Sequence, residues 1–298
     1  MSPEESAFRP SEKQIWDCFS PFVLDEPWEP AAARLEADID RAYLARRLRG
    51  WLRVFRRNQT NIAGDYHLQW QDTPLERQLS RRGAGVPCQW NEQRFIARAI
   101  GTKRVHLLHL FRAVQALAPR SILEVGAGNG VNLLALAARF PDLSLSGIEL
   151  TAGGVKAAQS VAESARLPDA LLEFLPEPAA RTSVAGLIDL RQGDARKLPF
   201  ADAAFDMVFT SLALEQMEEI RDAALHELAR VSARWVVMIE PFRDFNDSGL
   251  FRRYVVAQDY FAARVDDLRG FGLEPIFASA DMPHKTTLRP AIVVARKT

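Results

Sequence analysis

The chain has 298 residues, 48% of them hydrophobic and 26% charged, enough for one large core or for a core with a smaller companion. Lys plus Arg and Asp plus Glu both total 38, which leaves no net field to recruit nucleic acid or anionic lipid to the molecule as a whole. Cys18 and Cys88 are too few for a disulfide framework and lack the spacing of a metal site. The acidic start Met1–Glu5 leads into no apolar stretch, and no apolar run nears the ~20 residues that span a bilayer, so a cytoplasmic protein is expected.

Residues 1 to about 115 are rich in Trp, Arg and Gln, whereas the rest alternates apolar strands with helical stretches. The texture divides the chain into an N-terminal helical cap or lid (1–115) and an α/β core (116–298). Leu44, Leu48, Trp51, Leu52 and Phe55 recur at helical spacing among Arg41, Arg46, Arg47, Arg49, Arg53, Arg56 and Arg57. This amphipathic basic helix reads as docked on the core through its apolar stripe, with an anion-binding role as the alternative. Arg82–Pro87 then reads as a flexible joint, and Trp90–Arg94 as the start of another helix.

From Ser121 the pattern predicts strand (Ser121–Val125), helix (Val131–Arg139), strand (Leu143–Glu149) and helix (Gly154–Ser164). An acidic helical insertion at about 167–187 follows, then strands ending near Gln192 and over Phe205–Phe209, and a helix at Arg221–Val231. The run Trp235–Ile239, a helix around Asp259–Gly270 and runs at Pro275–Ala278 and Ala291–Ala295 close the chain. Such alternation calls for a doubly wound, mostly parallel sheet with right-handed crossovers.

The strongest chemical signal is Ile122-Leu123-Glu124-Val125-Gly126-Ala127-Gly128-Asn129-Gly130, an apolar strand entering a glycine-rich turn that opens a helix. Dinucleotide sites use G-x-G-x-x-G, but here the third glycine falls one position earlier and Glu124 precedes the turn. A pyrophosphate disfavours that carboxylate, whereas a cofactor carrying an ammonium and a sulfonium tolerates it. Glu149, at the end of the next strand, stands where doubly wound folds bind ribose hydroxyls. Gln192-Gly193-Asp194-Ala195 adds an Asp suited to an adenine amino group, followed by Leu198-Pro199-Phe200 and Phe205-Asp206.

With these three markers in order, residues 100 to 298 resemble the class I S-adenosylmethionine-dependent methyltransferases, in particular those acting on small molecules. The resemblance implies a seven-stranded Rossmann-like sheet and S-adenosyl-L-methionine as cofactor, leaving as S-adenosyl-L-homocysteine; no metal is expected, since no spacing among the five histidines and two cysteines suggests one. It implies that Glu124, Gly126, Gly128 and Gly130 surround the methionine moiety and that Glu149 holds the ribose. Asp194 and Ala195 would contact the adenine, Leu150 would pack against the base, and Ser211, after the fourth strand, is placed on the cofactor side. Many relatives carry a His shortly after that strand, where this chain has Leu214-Glu215-Gln216-Met217, so a reaction model built on that His does not transfer.

Methyl transfer is an in-line displacement for which positioning can supply most of the acceleration, so a general base is optional. Glu215 and His67 are the candidates if the acceptor must lose a proton, with helix bracing the bland reading of Glu215. Thr210, Ser211, Glu215, Gln216, Glu240, Phe242 and Asn246 follow strands and are the first acceptor-side residues to examine. Tyr66–Trp70 and the Trp90 region read as either a lid or plain packing, His106 and His109 as helix decoration, and His284 as an unassigned loop residue. The expected partner is a small-molecule acceptor (O, N, S or C nucleophile unresolved), with no membrane, no nucleic acid, and a monomer or homodimer. An RNA or protein methyltransferase using the basic helix, a nicotinamide-dependent oxidoreductase and a non-catalytic partner are the rivals.

Overall fold

The computed structural model describes residues 3–51, 75–79 and 84–298. Helices α1 (Pro3–Phe8) and α2 (Glu12–Phe19) come first, the second opened by a capping box in which Ser11 and Gln14 exchange hydrogen bonds. Strand β1 (Val23–Leu24), the long helix α3 (Trp28–Trp51), α4 (Leu75–Leu79), β2 (Gly85–Trp90) and β3 (Gln93–Arg98) lead to α5 (Ile100–Leu117). The core then runs β4 (Ser121–Val125), α6 (Val131–Arg139), β5 (Ser144–Glu149), α7 (Ala152–Ala162), α8 (Asp169–Phe174), β6 (Ile188–Gln192) and β7 (Phe205–Ser211). Last come α9 (Arg221–Val231), β8 (Ser232–Glu240), α10 (Gly249–Ala257), β9 (Leu273–Ser279), β10 (His284–Lys285) and β11 (Ala291–Lys297).

Seven strands form one sheet in the order β6-β5-β4-β7-β8-β11-β9, parallel except for β11, which is antiparallel to both neighbours. Because side chains alternate along a strand, consecutive apolar residues feed opposite faces. Ile122, Met207, Phe209, Val237, Ile239, Ile292 and Val294 pack toward α5 and α6. Leu123, Val125, Val208, Val236, Met238, Val293 and Ala295 pack toward α9. The order reverses at β4, whose neighbours β5 and β7 lie on either side, and the carboxyl ends of these strands frame the switch-point crevice.

The N-terminal part departs from an all-helical reading. The expected joint and helix start are instead the β2–β3 hairpin, turning at Asn91 (φ 47°) and Glu92 (φ 64°), the paired left-handed residues of a tight hairpin turn. This hairpin belongs to a four-stranded antiparallel sheet, β1-β3-β2-β10, whose last strand comes from the loop between β9 and β11. The expected Asp259–Gly270 helix is also displaced: the α-helix is α10, and only Asp266–Phe271 coils, as a 3-10 turn. The expected insertion contains the single short helix α8, anchored by buried Leu167, Leu171, Phe174 and Leu175.

Helix α3 docks differently from its sequence pattern. Leu44 and Leu48 are 59% and 63% exposed, so these two leucines do not face the core. The contact with α10 is ionic: Arg253 reaches Glu36 (2.8 Å) and Asp40 (2.6 Å), and Arg46 forks onto Asp259 at 2.6–2.8 Å. Arg41 pairs with Asp38, and Arg47 lies over Tyr43. Leu52, Phe55, Arg53, Arg56, Arg57, Tyr66, His67 and Trp70 lie outside the described residues. Among the described residues no helix is long and apolar enough to cross a membrane.

Candidate functional site

At the end of β4 the backbone turns back on itself so that Gly126 N and Ala127 N both donate to Ile148 O, at 2.8 and 3.0 Å. Gly126, Gly128 and Gly130 have φ of 80°, 55° and 73°, a region that L side chains rarely adopt. A Cβ on Gly130 would also stand 2.6 Å from the Ala158 Cβ of α7, so this glycine lets two helices close on the turn. The turn thereby presents its backbone to a cavity of about 660 Å³ at the carboxyl ends of the parallel strands.

Glu124 and Glu149 face this cavity from adjacent strands. Glu149 Oε2 accepts from Gly128 N (2.9 Å), while Oε1 accepts from Thr151 N (2.9 Å) and Oγ1 (2.7 Å), so the carboxylate also fixes the turn. Glu124 is 1% exposed; its Oε1 accepts from Asn132 Nδ2 (2.7 Å), while Oε2 has no hydrogen-bond partner among the described residues. Burial pushes the Glu124 carboxyl up to about 8, against the Asn132 hydrogen bond and with repulsion from Glu149.

Glu240 follows another logic. Its fully buried carboxylate accepts from the backbone of Ala213 and Leu214 at Oε1 (3.0 and 3.1 Å) and of Glu215 at Oε2 (3.2 Å). It therefore clamps the 3-10 turn Leu214–Gln216 that carries Glu215 into the cavity wall. Burial and then repulsion from Glu215 raise Glu240 to about 8, opposed by the backbone donors.

Of the residues singled out from sequence, Glu124, Gly126, Gly128, Glu149, Leu150, Asp194, Ala195, Ser211, Glu215 and Gln216 all border the cavity. Gly130 instead packs under the turn, and His67 lies outside the described residues. Glu240, Phe242 and Asn246 are buried away from it, with Asn246 tying its loop to the backbone of Phe242 and Arg289. Asp194 is gripped by its neighbour Arg196, whose Nη2 lies 2.6 Å from Oδ2, and this hydrogen bond holds the carboxyl below the usual range. Asp206 supports the start of β4 by accepting from Arg120 N (2.8 Å) and Ser121 N (3.3 Å), at the far end of the sheet from the cavity.

Sequence reasoning missed Lys103, Met217, Ile220 and Lys285, which also border the cavity. Lys103 lies in α5, one turn before His106, a spacing that points both toward one neighbour but gives no sign of a cavity there. It retains accessible surface because it borders open space, yet desolvation lowers its pKa; Lys285 adds to the lowering, and Glu215 and Glu124 oppose it. His106 and His109, expected as decoration, are 3% and 0% exposed, and burial holds them at about 3 and about 4.

The donor set fits the cofactor that the resemblance implies. A buried carboxylate oxygen lacking a partner among the described residues calls for a cationic donor such as an amino-acid ammonium, and it borders a cavity large enough for a nucleoside. Glu149 retains acceptor capacity beside the turn, and Leu150 and Ala195 supply apolar surface for a base.

Comparison with known proteins bears on the same stretch. The family described as "Methyltransferase domain" matches residues 123–234. Ajmaline N-methyltransferase of Rauvolfia serpentina is 27% identical over 121 residues, 41% of this chain and 35% of that one. A malonyl-[acyl-carrier protein] O-methyltransferase of Xylella fastidiosa (strain M23) is 33% identical over 102 residues, 34% of this chain and 28% of that one. The match thus spans about a third of the length of these relatives. Among solved structures, the [4+2]-cyclase SpnF aligns with a TM-score of 0.51 at 17% identity, over 80% of this chain and 95% of that one, a likeness of fold.

Proposed function

We propose, on the premise that this chain carries a class I S-adenosylmethionine-dependent methyltransferase domain, that it transfers a methyl group to a small-molecule acceptor. The observation that carries this reading is the buried Glu124 oxygen, without a partner among the described residues, facing the cavity beside a turn of three left-handed glycines. When bound, the cofactor would supply a methyl carbon activated by its sulfonium. Glu124 and the backbone of Gly126 and Gly128 would hold the methionine end, with Gly130 allowing the turn its shape. Glu149 would accept from the ribose hydroxyls, Asp194 and Ala195 would meet the adenine edge, Leu150 would cover its face, and Ser211 would border the cofactor.

Glu215 is the proton acceptor in this proposal, for an acceptor that loses a proton on attack. Its carboxylate borders the same cavity, and its charge is felt by Lys103, Glu240 and Tyr260. The macromolecular alternative relied on the basic helix, but two of its arginines, Arg41 and Arg46, are already paired with Asp38 and Asp259. The fold likeness to a cyclase is a reminder that architecture alone does not fix the reaction, so the reading rests on the site.

Calorimetry with S-adenosylmethionine, S-adenosylhomocysteine and a nicotinamide dinucleotide tests it. Micromolar binding of the first two alone, about −8 kcal/mol, is expected. Binding of the dinucleotide alone, or of none, would overturn it. With an acceptor in hand, Glu215→Gln should lower kcat far more than it weakens S-adenosylhomocysteine binding.

A further inference from the structure

A second cavity, of about 300 Å³, opens beside the first. Lys103, Leu212 and Lys285 border both, so the two cavities meet at these residues. The polar surface of the second cavity is cationic or neutral: Lys103, Thr102 and His106 come from α5, and His284 and Lys285 from β10. Ile100, Leu288 and Pro290 add an apolar wall.

Three features of this arrangement call for an anion. Helix α5 and the small antiparallel sheet bring two ammonium groups near enough to repel each other. Neither lysine has a carboxylate within ion-pairing distance among the described residues. His106 is 3% exposed, and neither ring nitrogen has a hydrogen-bond partner among the described residues, a deficit that a ligand atom would relieve.

We infer that the second cavity is the acceptor pocket and that it takes a small molecule bearing a carboxylate or phosphate, held between Lys103 and Lys285 with its apolar body against Ile100, Leu288 and Pro290. The assignment rests on the methyltransferase reading, since only a donor in the first cavity makes the neighbouring space an acceptor pocket. An anion between the two ammonium groups replaces their repulsion with two charge-assisted contacts. His106, kept neutral by burial, can donate to the same ligand or accept from it without adding charge. The residues that border both cavities would then flank the opening through which the acceptor's nucleophile reaches the donated methyl, with Leu212 beside the line of transfer.

The test uses the full chain and three probes of one shape, benzoate, phenyl phosphate and benzyl alcohol, followed by ligand-observed NMR at saturating S-adenosylhomocysteine. At least one anion should bind at least tenfold more tightly than the alcohol, and the stronger anion identifies carboxylate or phosphate. Lys285→Met should weaken that anion at least tenfold and Lys285→Arg should restore it to within threefold; raising salt from about 50 to 500 mM should weaken it in the wild type. Equal binding of alcohol and anions, an unchanged Lys285→Met affinity, or displacement of the probe by S-adenosylhomocysteine would overturn the inference. Calorimetric binding of S-adenosylhomocysteine with no anion binding sinks the pocket assignment alone. Anion binding without S-adenosylhomocysteine binding sinks the methyltransferase reading and, with it, the acceptor role.

Discussion

Glu124 should make cofactor binding depend on pH in a way that few other groups in the cavity can. In the free protein burial holds its carboxyl at about 8, so near pH 7 most molecules carry a proton on it. A ligand ammonium binds the ionised form, so each pH unit below 8 subtracts ~1.4 kcal/mol from binding, or roughly tenfold in affinity. The sign is therefore fixed: affinity for S-adenosylhomocysteine is full above about 8 and falls as pH drops, by about fiftyfold between pH 8 and pH 6. Calorimetry from pH 6 to 9 in two buffers of different ionisation enthalpy reads both the slope and the release of nearly one proton at pH 7. Glu124→Gln should give a flat, weaker profile, and methylthioadenosine, which lacks the ammonium, should be flat in the wild type. A level wild-type profile, or an unchanged slope in Glu124→Gln, would refute the pairing of this carboxylate with the ammonium.

The unliganded protein should be most stable near pH 6.5. His106, His109 and His284, held at about 3, about 4 and about 4, lose stability as pH falls below their usual 6.5, whereas Glu124 and Glu240, held at about 8, lose it as pH rises toward 8. At lower pH the three histidines outweigh the two glutamates, and above 6.5 the glutamates outweigh the histidines; urea midpoints that rise steadily from pH 6.5 to 8 would contradict this. Glu149→Ala should weaken S-adenosylhomocysteine at least tenfold by calorimetry and loosen the glycine turn, since the carboxylate holds Gly128 N and Thr151. Gly130→Ala should lower stability by ~2–3 kcal/mol in urea unfolding, from its φ of 73° and a Cβ placed 2.6 Å from that of Ala158. A loss within ~0.5 kcal/mol would mean the turn relaxes freely.

The cofactor half was legible because its determinants are local. A strand of alternating faces, three glycines forced to left-handed φ and carboxylates at strand ends occupy short windows, so Glu124, Glu149, Asp194 and Ala195 could be read in order and all border one cavity. Local legibility still mixed two roles: Asp206 looked like part of the same marker but supports the start of β4 far from the cavity. Glu240 looked like a pocket wall, whereas its carboxylate clamps the turn that carries Glu215, a contact 25 residues away in sequence. The hairpin at Asn91 and Glu92 was also missed, because neither residue is glycine and the left-handed turn announces itself only through its backbone angles.

The proposed acceptor pocket could not be read in the same way, because it is assembled from segments that share no window. Lys103 sits in α5 and Lys285 in a two-residue strand that pairs with β2 at Cys88, so their meeting depends on a sheet that periodicity did not reveal. A short strand has too few residues to show alternation, and a lysine at helical spacing ordinarily signals a solvated face. What betrays the site is a mismatch of environments: two like charges held near each other with no carboxylate within ion-pairing distance, beside a neutral buried imidazole with no hydrogen-bond partner among the described residues. Such an arrangement is unfavourable in the free protein, and a ligand of opposite charge turns each unfavourable term into a binding contact. By that argument, specificity under the proposed function would reside in the joint between α5 and the N-terminal sheet, while the parallel core would supply the seat of the proposed methyl donor.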